Sequence, residues 1–151
     1  MRHFRQIENF EKIFHRVPQE FNKQTDKEKL AVSLGATMYT ASTNMGIAES
    51  IVNCKYPGLT TNVWCLEDSL GDNMVAVAEG EINIEKQLMA LEEAIKLNMI
   101  KERDIPLIFI RVRDPQQLEK MLKLGKKLRL VAGFNLPKFS SKNGEEFLSL
   151  I

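Results

Sequence analysis

Three hydrophobic runs in this chain end in residues that could together handle a cation and an anionic substrate. Glu67 and Asp68 follow the run Thr61 to Leu66, Arg111 lies within Leu107 to Arg113, and Lys138 follows Pro137 after a run ending at Leu136. A hard cation takes oxygen ligands, and arginine grips a carboxylate through two parallel hydrogen bonds. A fourth run, Ala36 to Ala41, contributes Thr40, Ser42 and Thr43, whose hydroxyls could bind a polar substrate.

Each residue also has a plainer explanation. Acidic residues after a strand often cap the next helix. Arg111 is harder to dismiss, because an unpaired charge inside an apolar run costs several kcal/mol or more. It needs a buried partner or an opening into a site. Arg113 reads as a surface or capping residue, Lys138 could simply be solvated, and His3 and His15 read as surface residues.

The elements that must position these groups alternate. After a helix expected over residues 5–15 and a short turn over Lys27 to Leu34, stopped by Gly35, a strand over Ala36 to Ala41 leads into a helix over Met45 to Cys54, capped by Thr43 or Asn44. The second strand, Thr61 to Leu66, leads into a long helix from about Val75 to Met99. Ile84, Leu88, Leu91, Ile95 and Met99 mark its apolar face. The third strand, Leu107 to Arg113, is nearly continuous in apolar residues, as in parallel sheets covered on both faces. Pro115 opens a helix ending near Gly125, a fourth strand spans about Leu128 to Leu136, and Asn143 to Ile151 begins a fourth helix. Alternation of this kind predicts right-handed βαβ crossovers and a parallel sheet. A (β/α) barrel and a small doubly wound sheet both fit, and ligands bind at the carboxyl ends of the strands in either.

Composition removes several other classes. The 151 residues carry 21 basic and 20 acidic side chains, a net charge of +1, so no one-signed field for nucleic acid or an anionic membrane develops. Hydrophobic residues at 44% and charged residues at 27% are ordinary for a globular domain. Cys54 and Cys65 have no Cys-x-x-Cys or Cys/His company, which argues against zinc. There is no dinucleotide or P-loop glycine pattern and no Gly-x-Ser-x-Gly elbow. Charged residues follow Met1 where a secretory signal would need an apolar stretch, and no run reaches membrane-span length, so the expected location is cytoplasmic.

Leu66-Glu67-Asp68-Ser69-Leu70, with Ala78-Glu79 downstream, resembles the LEDAV-type motif of the HpcH/HpaI aldolase and citrate lyase β-chain family. Phe109-Ile110-Arg111-Val112-Arg113 resembles its third-strand arginine motif, and Leu136-Pro137-Lys138 its fourth-strand Pro-Lys motif, in the same order and spacing. The opening Met1-Arg2-His3-Phe4 and Leu34-Gly35-Ala36-Thr37-Met38-Tyr39 resemble a bacterial branch of TIM-barrel carbon–carbon bond lyases associated with stress and tellurite resistance. The resemblance runs from the N-terminus to about residue 141. It implies a Mg²⁺-dependent lyase acting on hydroxy or oxo acids or their CoA thioesters. Arg111 and Lys138 would be catalytic, Arg111, Thr40 and Ser42 would bind substrate, and Glu67 and Asp68 would lie near the metal or its waters. Where the family has a first-strand Val-Pro-Gly turn, this chain has Thr40-Ala41-Ser42. The family's direct metal ligands, a Glu and an Asp of the fifth and sixth strands, are expected beyond Ile151.

A closed barrel needs roughly 250 residues. The expected organisation is therefore an N-terminal helical segment over residues 1–34 and a partial (β/α) barrel of TIM type, about four βα units, over 35–151. On this expectation the chain is the N-terminal part of a lyase and weakly active or inactive alone. One alternative is a non-catalytic half barrel that completes its sheet with a second copy or a complementing C-terminal half. Another is a self-contained small sheet, which would need a fifth strand from the N-terminal segment.

Overall fold

A computed structural model describes all 151 residues. Four strands, β1 (Thr37–Ala41), β2 (Thr61–Cys65), β3 (Leu107–Arg111) and β4 (Val131–Asn135), form one sheet in the order β1-β2-β3-β4 with every pair parallel. Six α-helices accompany them: α1 (Phe10–Ile13), α2 (Lys27–Ala31), α3 (Ile47–Val52), α4 (Met74–Lys96), α5 (Pro115–Leu122) and α6 (Gly144–Leu148). The connections after β1, β2 and β3 run through α3, α4 and α5, and α6 follows β4. Parallel neighbours require such crossovers.

The pleat sorts side chains to two faces. Trp64, Ile108 and Ile110 join Leu66, Ile84, Leu88, Leu91, Leu118 and Met121 in a core cluster of 16 buried residues between sheet and helices. On the other face, Tyr39, Val63, Phe109 and Gly133 share one row, and Ala41, Cys65, Arg111 and Asn135 the next. Gly133 is small for a reason: a Cβ there would meet Phe109 Cε1 at 3.1 Å. The Tyr39 hydroxyl accepts a hydrogen bond from Asn135 Nδ2 at 3.0 Å, from the first strand to the fourth. In a flat sheet those strands would stand about 14 Å apart with side chains perpendicular to it. Their meeting shows that the sheet curls about this face, as a barrel wall does.

Local chemistry sets the helix starts. Asn73 accepts from Val75 N and Ala76 N to cap α4, and Asp114 accepts from Gln117 N to cap α5, with Pro115 in the first turn. Before α3, Asn44 Oδ1 accepts instead from Gly46 N, a turn that delays the helix to Ile47. α4 stops at Lys96, so Met99 is exposed rather than part of the core face.

The N-terminal segment departs from the expected helix over residues 5–15. Phe4 and Asn9 have positive φ (55° and 54°), conformations that interrupt a helix, and only the four residues of α1 remain. Its apolar residues serve other contacts: Arg2 lies over the Phe10 ring, and Phe4 stacks on Phe14. Met1 and Phe21 pack with Leu107 in a second small cluster, and Arg2 and Glu20 form one antiparallel bridge. That bridge is far short of a fifth strand of the main sheet. The segment is strapped to the amino ends of the strands, where Arg5 donates to Pro57 O and Asp104 O.

Candidate active site

At the opposite, carboxyl ends, three consecutive strands converge on one carboxylate. Glu67 follows Leu66, whose amide still donates to Arg111 O at 2.9 Å, so the chain stays extended past β2. Alternation then sends Leu66 to the helix-side core and Glu67 to the inner face, where it is buried at 6% exposure. Arg111, the last residue of β3, places Nη2 2.5 Å from Glu67 Oε2 and 2.7 Å from Asp68 Oδ2. Lys138, beyond β4, places Nζ 2.8 Å from Glu67 Oε1.

These contacts set the charge states. Burial pushes Glu67 toward the neutral acid, but the hydrogen bond from Lys138 and the charge and contact of Arg111 outweigh it, holding the carboxyl below its usual range. Arg111 is pulled down by burial and pushed up by Glu67 and Asp68, with the carboxylates prevailing. Lys138 is raised by its hydrogen bond to Glu67. Glu67, Arg111 and Lys138 are therefore ionised near neutrality, and the cluster sets two basic side chains against two acidic ones.

Arg111 spends Nη2 on both carboxylates. Its buried Nε has no partner, and Nη1 makes no hydrogen bond to the protein. Its guanidinium also lies 5.8 Å from the Tyr39 ring centroid, and that hydroxyl carries the Asn135 amide. Sequence reading did not single out Tyr39 and Asn135. The row shared by Asn135 and Arg111 could have suggested one of them.

Backbone and loop contacts hold the cluster in place. Lys138 sits in the left-handed region at φ 49°, a conformation costing an ordinary residue about 1–2 kcal/mol, and Asn143 Nδ2 reaches its carbonyl. Arg113, expected to be a surface or capping residue, is a half-buried strut. It donates to Gly71 O at 2.6 Å and pairs with Asp72 at 3.1 Å, clamping the loop that carries Glu67 and Asp68.

Thr40 and Ser42 are not brought to this cluster. Thr40 alternates with Ala41 and so faces away from Arg111, where its Oγ1 accepts from Asn62 Nδ2 at 2.9 Å. Asn62 also accepts from the buried Trp64 Nε1. Ser42 is fully buried against α4, with its Oγ unpartnered and close to where a Cβ on Gly80 would lie. These two hydroxyls, expected to bind substrate, therefore stand apart from the Glu67 cluster, because strand parity and the packing of α4 turn them to the helix side. Ala78 and Glu79 are exposed on α4.

Glu67 and Asp68 do not fit a directly bound Mg²⁺. One oxygen of Asp68 and both of Glu67 already face cations, and no group of three His, Cys, Asp or Glu residues is placed to hold a metal ion. A hard cation would need several oxygen ligands and the displacement of Arg111 or Lys138.

Four sequential parallel βα units, with charged side chains gathered at the carboxyl strand ends, define part of a TIM-barrel wall and the rim at which barrels of this type hold their sites. Residues 28–151 match the family described as C-C Bond Lyase of the TIM-Barrel fold, and the chain belongs to that family. No curated protein and no solved structure matches the chain. No helix is long and apolar enough to cross a membrane.

Proposed function

We propose that this rim serves carbon–carbon bond cleavage in hydroxy or oxo acids or their CoA thioesters, in the manner of HpcH/HpaI aldolases and citrate lyase β-chains. The observation that carries this reading is the convergence of Arg111 and Lys138 on Glu67, with Arg111 Nη1 left free. A fixed guanidinium with an unused donor suits a substrate carboxylate.

In a retro-aldol cleavage, a base takes the proton of the hydroxyl, the C–C bond electrons move to the substrate's carbonyl oxygen as an enolate, and the alkoxide carbon becomes a carbonyl. The enolate then takes up a proton. Arg111 and Lys138 stabilise the developing negative charge without moving, because Glu67 holds both in place. Asp68 Oδ1 faces no cation, and on this exposed residue it is the oxygen suited to receive the hydroxyl proton. No step here needs Mg²⁺, whose fit to these residues is poor.

Pyruvate, the simplest 2-oxo acid, tests the reading. In an NMR titration it should perturb amides around residues 67–68, 111 and 138, and Arg111→Gln should abolish the response. Perturbations elsewhere, or an unchanged response in R111Q, would sink the assignment.

A second reading, a non-catalytic half barrel that completes its sheet with another chain, is favoured by one observation. β1 and β4 are each paired on one side only, leaving free backbone donors and acceptors. Amide exchange separates the two readings: edge pairing requires concentration-dependent protection of Thr37–Ala41 and Val131–Asn135.

A further inference from the structure

Helix α4 carries a second apolar face that the core does not use. Its buried residues, Val77, Ile84, Leu88 and Leu91 among them, lie against the sheet. Directly opposite, Val75, Ile82 and Met89 recur every seventh residue and are 68%, 57% and 57% exposed. Single exposed apolar residues are ordinary, but three in line on one helix form a stripe.

The charges beside the stripe indicate what covers it. On one flank, Glu81, Glu85 and Glu92 are engaged by Lys120, Lys127 and Arg129. Glu79 and Lys86, next to the stripe, are exposed and make no salt bridge or side-chain hydrogen bond. They bracket Ile82, three residues before it and four after, while Val75 and Met89 stand seven before and seven after. This pattern is self-complementary in one orientation only. A parallel copy would keep Glu79 level with Glu79 and Lys86 level with Lys86, about two turns from the opposite charge. An antiparallel copy related by a two-fold axis at Ile82 sets Ile82 on Ile82 once, and Val75 on Met89 and Glu79 beside Lys86 twice each.

We infer that α4 is a homodimerisation surface, pairing antiparallel with α4 of a second copy about a two-fold axis at Ile82, with Glu79 and Lys86 setting the register. The contact lies on the outside of the barrel wall and leaves both the carboxyl strand ends and the strand edges free. A single helix pair is a small interface, so the association is reversible and concentration dependent.

Sedimentation equilibrium of the whole chain tests this. The apparent mass should rise with concentration from the 17.3 kDa monomer toward twice that value. Ile82→Glu should hold it at the monomer, with an unchanged thermal melt because the position is solvent exposed. Glu79→Lys and Lys86→Glu should each weaken association by about tenfold or more through like-charge contacts, and the double variant should restore it. A chain that stays monomeric at every concentration overturns the proposal. So does an association that ignores I82E, which would place the contact at another surface. Failure of the double variant to recover, or recovery of K86E by Glu93→Lys instead, overturns the two-fold at Ile82.

Discussion

Lys138 Nζ lies 2.8 Å from Glu67 Oε1 although β3 stands between the strands that deliver them. Arg111, at the end of that middle strand, takes the other oxygen of the same carboxylate. One buried glutamate thus ties three strand ends together, and the curl of the sheet makes the reach across β3 possible. The carboxylate orients two cations that would otherwise repel each other, which places the site under the control of residue 67.

Replacing Glu67 with Gln should therefore leave two cations facing a neutral amide. We expect a loss of about 2 kcal/mol in chemical denaturation, less than for a fully enclosed pair because Lys138 remains in solvent. A stability equal to the wild type would show that the cluster carries no net coupling.

Lys138→Met should separate binding from stability. The lysine side chain is 78% exposed, so the thermal midpoint should barely move. Pyruvate affinity should nevertheless fall roughly tenfold, the typical worth of one charge-assisted hydrogen bond. Equal losses of both would mark the residue as merely structural.

Acid should loosen a different contact. The hydrogen bond from Arg129 holds Glu102 below its ordinary value of 4.5 against the opposing effect of burial, with help from the charges of Arg129 and Lys23. A carboxyl depressed in the folded state adds stability that is fully present above the unfolded value and lost as pH falls through the lower, folded one. The wild-type chain should lose stability more steeply than Glu102→Gln as the solution is acidified below about 4.5. Parallel pH profiles would contradict the assignment.

Gly80 and Ser42 should behave as a coupled pair. A Cβ on Gly80 would meet Ser42 Oγ at 2.2 Å and Leu66 Cδ2 at 3.1 Å. Gly80→Ala should cost about 1–3 kcal/mol by overpacking, despite the better helix propensity of alanine. Ser42→Ala removes an orphaned buried hydroxyl and should be neutral or slightly stabilising. Combined, the two changes should be less damaging than G80A alone, and strict additivity in a double-mutant cycle would show that the contact is not made.

Mg²⁺ should not stabilise this chain. A ligand that binds the folded state raises the melting temperature by mass action, and these carboxylates are already committed to Arg111 and Lys138. A melting temperature that climbs with Mg²⁺ would show that the metal displaces one of those cations.

Much of the scaffold was legible because its signals are local. Apolar runs such as Leu107–Ile110 and the punctuation at Gly35 and Pro115 act over a few residues, and all four strands fall within their expected ranges. The N-terminal helix failed where local pattern misled: Phe10 and Phe14 have helical spacing, yet Phe14 stacks on Phe4, and positive φ at Phe4 and Asn9 ends the helix.

Glu67, Asp68, Arg111 and Lys138 were legible as polar residues at strand ends, where chain order alone sets them on one rim of a parallel sheet. Their roles as partners were not, since Oε1 and Oε2 of Glu67 are divided between side chains that only the curled sheet brings near. The same packing keeps Thr40 and Ser42 away from that cluster: strand parity turns the first to the helix side, and α4 closing at Gly80 buries the second. The order of residues determined which strand ends share the rim, because sequential parallel βα units leave the carboxyl ends on one side. Tertiary structure alone decided which charges meet there, because ion pairing depends on distances of a few ångströms that curvature and packing set.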